Sequence, residues 1–208
     1  IRRPPRSTPS NSSAASDVYK RQAPYILCPN HTSFLDGFLI KSALPYSISK
    51  NLFFLGFDFK FYHLPLIRNL VKLSGIIPVN PAENLIPAMQ VCSLLIKQGK
   101  ILCIFPEGRR GIEDKPQEFK KGIGILAEEL GVTLLPVYIK GALSAWPRTS
   151  RFPRPHPTRV TFGKPVNPKE LEKIKAHLDK NADIYESVAQ LIRARVEGLS
   201  KDPGDGSQ

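Results

Sequence analysis

The chain has 208 residues, which is enough for one domain with a sizeable hydrophobic core. Its 30 Lys and Arg against 18 Asp and Glu give a formal net charge of +12, which favours anionic partners such as phospholipid surfaces, nucleic acid or acidic carrier proteins. The three cysteines form no C-x-x-C pair, which argues against a disulfide framework or a zinc site, so we expect no metal. The sequence contains no run of about 18 apolar residues, so it predicts no transmembrane helix.

The first segment, residues 1–22, is rich in Pro, Ser and Arg and begins with Ile rather than Met. It lacks hydrophobic periodicity and resembles a translated adapter, so we predict it to be disordered or artefactual and set it aside. We therefore expect the native N-terminus to be missing, and any membrane anchor that it carried would be missing with it. Residues 23–199 are predicted to form a single domain, and residues 200–208 a disordered tail.

Within that domain, short apolar runs alternate with amphipathic segments. The apolar runs predict strands over 25–28, 74–79, 101–105, 133–139 and 159–162. The periodic segments predict a short helix from about residue 32 or 33 and longer helices over 64–73, 84–98, 119–130, 168–180 and 183–199. Strands that alternate with helices imply an α/β fold with a mainly parallel central sheet flanked by helices. Cys28 and Cys103 lie in strand-like runs and are predicted to be buried thiols.

The segment 30–37, NHTSFLDG, supplies a candidate base and a carboxylate to orient it. A hydroxyl is a poor nucleophile near neutral pH, and a histidine can take its proton as it attacks. A carboxylate on the other ring nitrogen fixes the tautomer and stabilises the imidazolium. On one continuous helix His31 and Asp36 would be about 140° out of phase, so pairing needs a turn, with Asp36 in the first turn of a helix. Taken alone, the spacing fits a capping Asp36 and a surface His31 better.

The segment 105–110, FPEGRR, follows a predicted buried strand. Its Pro-Glu-Gly turn would lie at the carboxyl edge of the sheet, where α/β folds bind ligands. Glu107 is a candidate acceptor for a substrate hydroxyl, and Arg110, with Arg109, a candidate phosphate ligand through the guanidinium fork. A loop with solvated arginines explains the same residues equally well.

The order of the motifs decides between these interpretations. NHTSFLDG, GIIPVN at 75–80, IFPEGRR and LLPVYIKG at 134–141 follow one another as in the glycerolipid acyltransferase family. From residue 24 to about 166 the chain resembles 1-acylglycerol-3-phosphate acyltransferases. The resemblance implies that His31 and Asp36 are the catalytic pair. It also implies a set of substrate-binding residues, namely Gly75, Asn80, Glu107, Gly108, Arg109, Arg110 and Lys120.

Two positions depart from the family pattern. Asn80 stands where the second block often ends in Arg, and Arg109 replaces the usual Thr of the third block. The IPVNP and IFPEGR strings are also similar to the acyltransferase module of bifunctional acyl-carrier-protein synthetase/acylglycerophosphoethanolamine acyltransferases. A lysophosphatidylethanolamine acyltransferase module of a larger fused protein is therefore an alternative to a lysophosphatidate acyltransferase.

The resemblance implies transfer of a fatty acyl group from a thioester, either acyl-CoA or acyl-carrier protein, to the free hydroxyl of a lysophospholipid, with no cofactor. It implies a phospholipid-biosynthesis enzyme held peripherally at the cytoplasmic face of a membrane. A non-catalytic lipid-binding module remains a second interpretation.

The basic segment 140–164 contains six Lys or Arg and no acid, with Trp146 and Phe152 among them. It fits a solvated loop or a loop that faces an anionic membrane surface. A nucleic-acid partner is not expected, because no RNA- or DNA-binding motif accompanies the charge.

Overall fold

The computed structural model describes residues 24–56, 75–78, 85–147, 149–150, 152–178 and 182–201. The helix predicted over 64–73 and the predicted binding residue Asn80 lie outside these residues. Among the described residues, no helix combines the length and the apolar character needed to cross a bilayer.

Six strands make up the sheet. They are β1 (Tyr25–Pro29), β2 (Leu52–Gly56), β3 (Ile76–Pro78), β4 (Ile101–Cys103), β5 (Thr133–Lys140) and β6 (Arg159–Phe162). The described helices are α1 (Asp36–Ala43), α2 (Tyr46–Ser49), α3 (Leu85–Lys97), α4 (Gly122–Leu130), α5 (Ala142–Ala145), α6 (Pro168–His177) and α7 (Ile184–Lys201).

The strand order is β3-β2-β4-β1-β5-β6, and each neighbouring pair is parallel except β5–β6. The predicted mainly parallel α/β sheet is therefore confirmed. From β1 the chain crosses to β2 on one side of the sheet, whereas from β4 it crosses to β5 on the other. The carboxyl ends of β1 and β4 thus flank a topological switch point, where open α/β sheets form a ligand crevice.

Alternate residues along the strands pack into two cores, one on each face of the sheet. Ile26 and Cys28 face the layer that contains α3, α4, α6 and α7. Leu27 and Cys103 face the opposite layer, which contains α1, α2 and α5. The apolar runs that predicted buried strands are explained by this double coverage. Cys28, Cys92 and Cys103 are all buried free thiols, and burial raises the pKa of each.

Several boundaries differ from those predicted. The helix expected from residue 119 begins at Gly122, and before it the Lys120 N–H donates to the Pro106 carbonyl at 2.8 Å. The helix expected to end at residue 199 continues to Lys201, two residues into the predicted tail. The first helix begins at Asp36 rather than near residue 32 or 33. The sequence analysis also missed β2 as a strand, as well as the short helices α2 and α5.

Candidate active site

The loop that follows β1 is tied to the sheet by Asn30. The Asn30 amide nitrogen donates to the Ile139 carbonyl at 3.0 Å, and the Ile139 N–H donates to the amide oxygen at 2.7 Å. Asn30 is fully buried, and its partner lies on β5, next to β1 in the sheet. This two-way bond fixes where the next residue, His31, leaves the sheet edge.

The segment 31–36 forms the turn that the spacing predicted. His31 Nδ1 lies 2.8 Å from Oδ2 of Asp36, the first residue of α1. The same oxygen accepts the peptide N–H groups of Thr32 at 2.7 Å and Ser33 at 2.8 Å. Asp36 is fully buried, so three donors surround a carboxylate that solvent does not reach. The peptide N–H groups of the turn therefore fix the Asp36 carboxylate, and the carboxylate orients the His31 ring.

This bond assigns the tautomer of His31. A carboxylate oxygen only accepts, so Nδ1 carries the proton and Nε2 keeps the lone pair. The ring also stacks on Phe105, with centroids 4.0 Å apart and planes 25° from parallel. The His31 side chain is 21 % exposed, so a substrate can reach the ring. The arrangement has the orientation that a general base requires.

Glu107 lies on the other side of His31, in the turn that follows β4. The His31 N–H donates to Glu107 Oε1 at 3.1 Å, and the Gly111 N–H donates to the His31 carbonyl at 2.8 Å. Glu107 is 2 % exposed, and this burial raises its pKa from 4.5 to about 7. Asp36 adds a smaller upward effect, whereas the peptide N–H groups of His31 and Gln117 and the charge of Arg193 lower the pKa.

The rim of the site carries cations and aromatic rings. The Arg110 guanidinium carbon lies 3.4 Å from the centroid of the Phe34 ring, and Phe34 in turn contacts Trp146 with centroids 5.4 Å apart. Ser33 Oγ donates to the Trp146 carbonyl at 2.9 Å, which joins this rim to the catalytic turn. Arg109 is exposed beside Arg110.

The structure brings most of the predicted binding residues to this edge. Gly108 has φ +71° and forms the tight turn, with its N–H donating to the Phe105 carbonyl at 3.1 Å. Lys120 lies beside it, since a Cβ on Gly108 would be 3.9 Å from Lys120 Cγ. For Gly108, Arg109, Arg110 and Lys120, a binding role stays a prediction.

Two predicted binding residues have a different standing. Gly75 directly precedes β3, at its amino end, and so lies away from the carboxyl edge that carries His31. Its φ of +71° requires glycine, and a Cβ there would be only 2.8 Å from the Leu52 carbonyl oxygen. The structure thus gives Gly75 a backbone explanation and does not bring it to the site. Glu107 is at the site, but its Oε1 already accepts the hydrogen bond of the His31 peptide N–H.

Sequence reasoning missed four residues that shape the site: Asn30, Phe34, Phe105 and Gly111. Each was inside or beside a motif already singled out, but each acts through a partner distant in the chain. Asn30 and Ile139 are 109 residues apart, for example. The one available signal was the position of Asn30 directly after an apolar run, where a buried amide is unusual.

In the part of the chain that the structure describes, no three His, Cys, Asp or Glu side chains cluster as metal ligands would. The titratable residues of the site are arranged around one ring and its peptide.

The fold is similar to a solved structure, the 1-acyl-sn-glycerophosphate (LPA) acyltransferase PlsC from Thermotoga maritima. The TM-score is 0.66, with 21 % sequence identity, and the match covers 90 % of this chain and 70 % of that one. At this identity the likeness establishes the fold alone.

Curated relatives are similar over most of this chain. A chloroplastic 1-acyl-sn-glycerol-3-phosphate acyltransferase of Arabidopsis thaliana is 26 % identical over 76 % of this chain and 43 % of its own length. A 1-acyl-sn-glycerol-3-phosphate acyltransferase of Cocos nucifera is 28 % identical over 77 % of this chain and 51 % of its own length. The chain thus spans about half or less of the length of these relatives.

The match to a family model agrees with the geometry. Residues 11–140 match the model described as Acyltransferase, which is well over half of the 208 residues. The matched residues include both turns around His31, with the buried Asp36 and the cationic rim. On this evidence the chain belongs to the acyltransferase family.

Proposed function

We propose that the protein transfers a fatty acyl group from a thioester to the free hydroxyl of lysophosphatidate. The observation that carries the proposal is the 2.8 Å bond between His31 Nδ1 and a fully buried Asp36, on a ring that remains 21 % exposed. The printed names of the similar proteins, which are 1-acyl-sn-glycerol-3-phosphate acyltransferases, support the choice of acceptor.

The chemistry follows from the tautomer. His31 Nε2 takes the proton of the acceptor hydroxyl as its oxygen attacks the thioester carbonyl. Asp36 stabilises the imidazolium that forms, and the peptide N–H groups of Thr32 and Ser33 hold its carboxylate oxygen against the ring. As the tetrahedral intermediate collapses, the C–S bond breaks and the imidazolium returns the proton to the departing thiolate. The net change is one ester formed and one thioester cleaved.

The cationic rim supports a phosphate-bearing acceptor. Arg110, Arg109 and Lys120 lie on the turn 105–111 or beside it, which brings their positive charge to the edge where His31 is exposed. The planar guanidinium of Arg110 is suited to a two-pronged contact with phosphate oxygens. A phosphate bound there would place the remaining hydroxyl of a glycerol backbone toward His31.

The direct test is a mass-spectrometric assay that offers acyl-CoA or acyl-carrier protein to lysophosphatidate, lysophosphatidylethanolamine and glycerol 3-phosphate. We expect lysophosphatidate to be acylated, and His31→Ala to reduce the rate at least about 10³-fold. His177→Ala is the matched control, because His177 is exposed on α6. Full activity in folded His31→Ala would contradict the mechanism, and acylation of lysophosphatidylethanolamine alone would replace the acceptor.

We also propose that the rim of the site contacts an anionic membrane surface. Phe38, Ile112 and Phe152 are each more than half exposed, which is unusual for large apolar side chains. In the chain, Phe38 follows Phe34 by four residues, Ile112 follows Arg110 by two and Phe152 follows Trp146 by six. Apolar side chains among cations suit the headgroup region of an anionic bilayer.

This second proposal is tested by sedimentation with vesicles of anionic or zwitterionic phospholipid. We expect binding to the anionic vesicles, and a several-fold weaker association for Phe38→Ser with Ile112→Ser. Leu94→Ser is the matched control, because Leu94 is also exposed but lies on α3, on the other face of the sheet. An equal loss in the control, or binding without regard to lipid charge, would contradict it.

A further inference from the structure

Two residues of the turn that follows β4 hydrogen-bond to the backbone of His31, one to its N–H and one to its carbonyl. Glu107 Oε1 accepts its N–H at 3.1 Å, and the Gly111 N–H donates to its carbonyl at 2.8 Å. Gly111 packs tightly here, since a Cβ would be 3.2 Å from Gln117 Cγ and 3.6 Å from Glu107 Oε2. The ring is thus oriented by Asp36, while the backbone that carries the ring is located by Glu107 and Gly111.

Glu107 is badly placed for contact with a substrate. The residue is 2 % exposed, and its Oε2 is buried without a well-formed hydrogen bond to the described residues. A carboxylate in this position costs free energy unless a positive charge lies near. The charged groups that act on it are Asp36 from α1, which disfavours its ionisation, and Arg193 from α7, which favours it.

Arg193 is the cation that the family motifs do not contain. It lies at the middle of α7, beyond the residues matched by the family model. The Arg193 side chain is only partly exposed, and its Nε is buried without a hydrogen-bond partner among the described residues. α7 packs against β1 and β5, the two strands that carry Asn30 and its partner Ile139. Arg193 Nε and Glu107 Oε2 are both buried without a hydrogen-bond partner among the described residues, and the charge of Arg193 lowers the pKa of Glu107.

We propose that Glu107 is a positioning residue that locates His31 through its peptide, and that Arg193 on α7 is the cation that keeps Glu107 able to do so. The inference rests on the proposed function of His31 as the base. It makes α7 act on the catalytic base through Glu107.

The test that does not depend on activity follows the His31 amide by ¹H–¹⁵N nuclear magnetic resonance as the pH is raised. In the wild type we expect its shift to change with a midpoint of about 7, the pKa of Glu107. Glu107→Gln should abolish this step. Arg193→Met should raise its midpoint, and Arg193→Lys should restore most of the difference.

The matched control is Arg195→Met. Arg195 lies two residues away on the same helix, is exposed and pairs with Glu170 at 2.7 Å. Its loss removes the same charge from α7, so the midpoint at His31 should stay where it is. Circular dichroism checks that each variant is folded, and Arg193→Lys keeps the test informative if Arg193→Met does not fold.

A kinetic arm separates positioning from substrate contact. We expect Glu107→Ala to lower kcat about 10- to 100-fold while the KM for lysophosphatidate stays within about twofold. A large rise in KM with kcat unchanged would overturn the positioning role. An amide shift with no step near pH 7, or one that Arg193→Met leaves unaltered, would overturn the role of Arg193. If no acceptor is acylated, the proposed function fails, but the amide titration still decides the positioning claim.

Discussion

Asp36 and Glu107 are both buried carboxylates beside His31, but the two turns supply them with different numbers of hydrogen bonds. In the turn 30–36, one oxygen of Asp36 accepts the ring N–H and two peptide N–H groups. In the turn 105–111, Glu107 Oε1 accepts a hydrogen bond from the His31 peptide N–H, and burial raises the pKa of Glu107 to about 7. Burial is common to both residues, so the supply of donors distinguishes them.

The difference gives the two acids different chemistry. Asp36, which bonds to the ring nitrogen itself, can orient the ring and stabilise an imidazolium. Burial raises the pKa of Glu107 to about 7, so its charge changes near neutral pH. The comparison therefore separates a residue that orients the ring from one that locates the backbone.

The largest expected effect comes from Asp36→Asn, which breaks the first turn. The neutral amide lacks the charge that stabilises the imidazolium, and if its NH2 group faces the turn it presents a donor to three donors. We expect kcat to fall about 10³- to 10⁴-fold, measured as acyl transfer to lysophosphatidate. Asp114→Asn, at an exposed carboxylate, is the control. A loss below tenfold would mean that Asp36 does not orient the base.

The next largest effect is on stability, from Asn30→Ala. This change leaves the buried N–H and C=O of Ile139 without their partners. We expect the free energy of unfolding to fall on the order of 2–4 kcal/mol in urea titrations, because each orphaned group carries a desolvation cost. Asn51→Ala, which removes one long bond to Lys100 at 3.4 Å, should cost less than about 1 kcal/mol. Equal losses would show that the first turn does not depend on Asn30.

The two turns also differ in how far the sequence predicts them. The pairing of His31 with Asp36 follows from local reasoning, because the residues are five apart and a turn is the one way to join them. The strands that carry both turns follow from apolar runs covered on both faces. The fold class and the candidate base were therefore within reach of the sequence.

The contacts of the second turn were not within reach, because they join distant parts of the chain. Glu107 and the His31 peptide are 76 residues apart, and nothing local indicates that a glutamate in a turn is buried. The same turn also receives the Lys120 N–H at the Pro106 carbonyl, ahead of α4. The motif assigned Gly75 to substrate binding, whereas the structure explains this glycine by the close approach of the Leu52 carbonyl oxygen.

The titration of Glu107 gives a third prediction, on the pH dependence of stability. Its pKa is raised from 4.5 to about 7, so between these values the folded chain holds a proton that the unfolded chain has lost. The wild type should therefore lose stability as the pH rises through this window and level off above it. The glutamine of Glu107→Gln does not titrate. The free energy of unfolding of this variant, relative to that of the wild type, should therefore increase by up to about 3 kcal/mol from pH 4.5 to 8.

This prediction is measured by urea unfolding of both proteins across the pH range. Glu113→Gln is the matched control, because Glu113 is an exposed carboxylate six residues further on. It should follow the wild-type curve. A constant difference between Glu107→Gln and the wild type at all pH values would mean that Glu107 has an ordinary pKa, and the contrast with Asp36 would disappear.

The smallest expected effect concerns the contact that joins the two turns. Arg110 of the second turn lies 3.4 Å from the ring of Phe34 in the first, so the ring helps to place the guanidinium. Arg110→Lys and Phe34→Leu should each raise the KM for lysophosphatidate, and together less than additively, with a coupling of about 0.5–2 kcal/mol. Arg109→Lys combined with Phe34→Leu is the control and should be additive, because Arg109 is exposed. If both pairs are additive, Arg110 and Phe34 contribute independently to binding of the acceptor. The two turns would then be coupled only through the hydrogen bonds of Glu107 and Gly111 to His31.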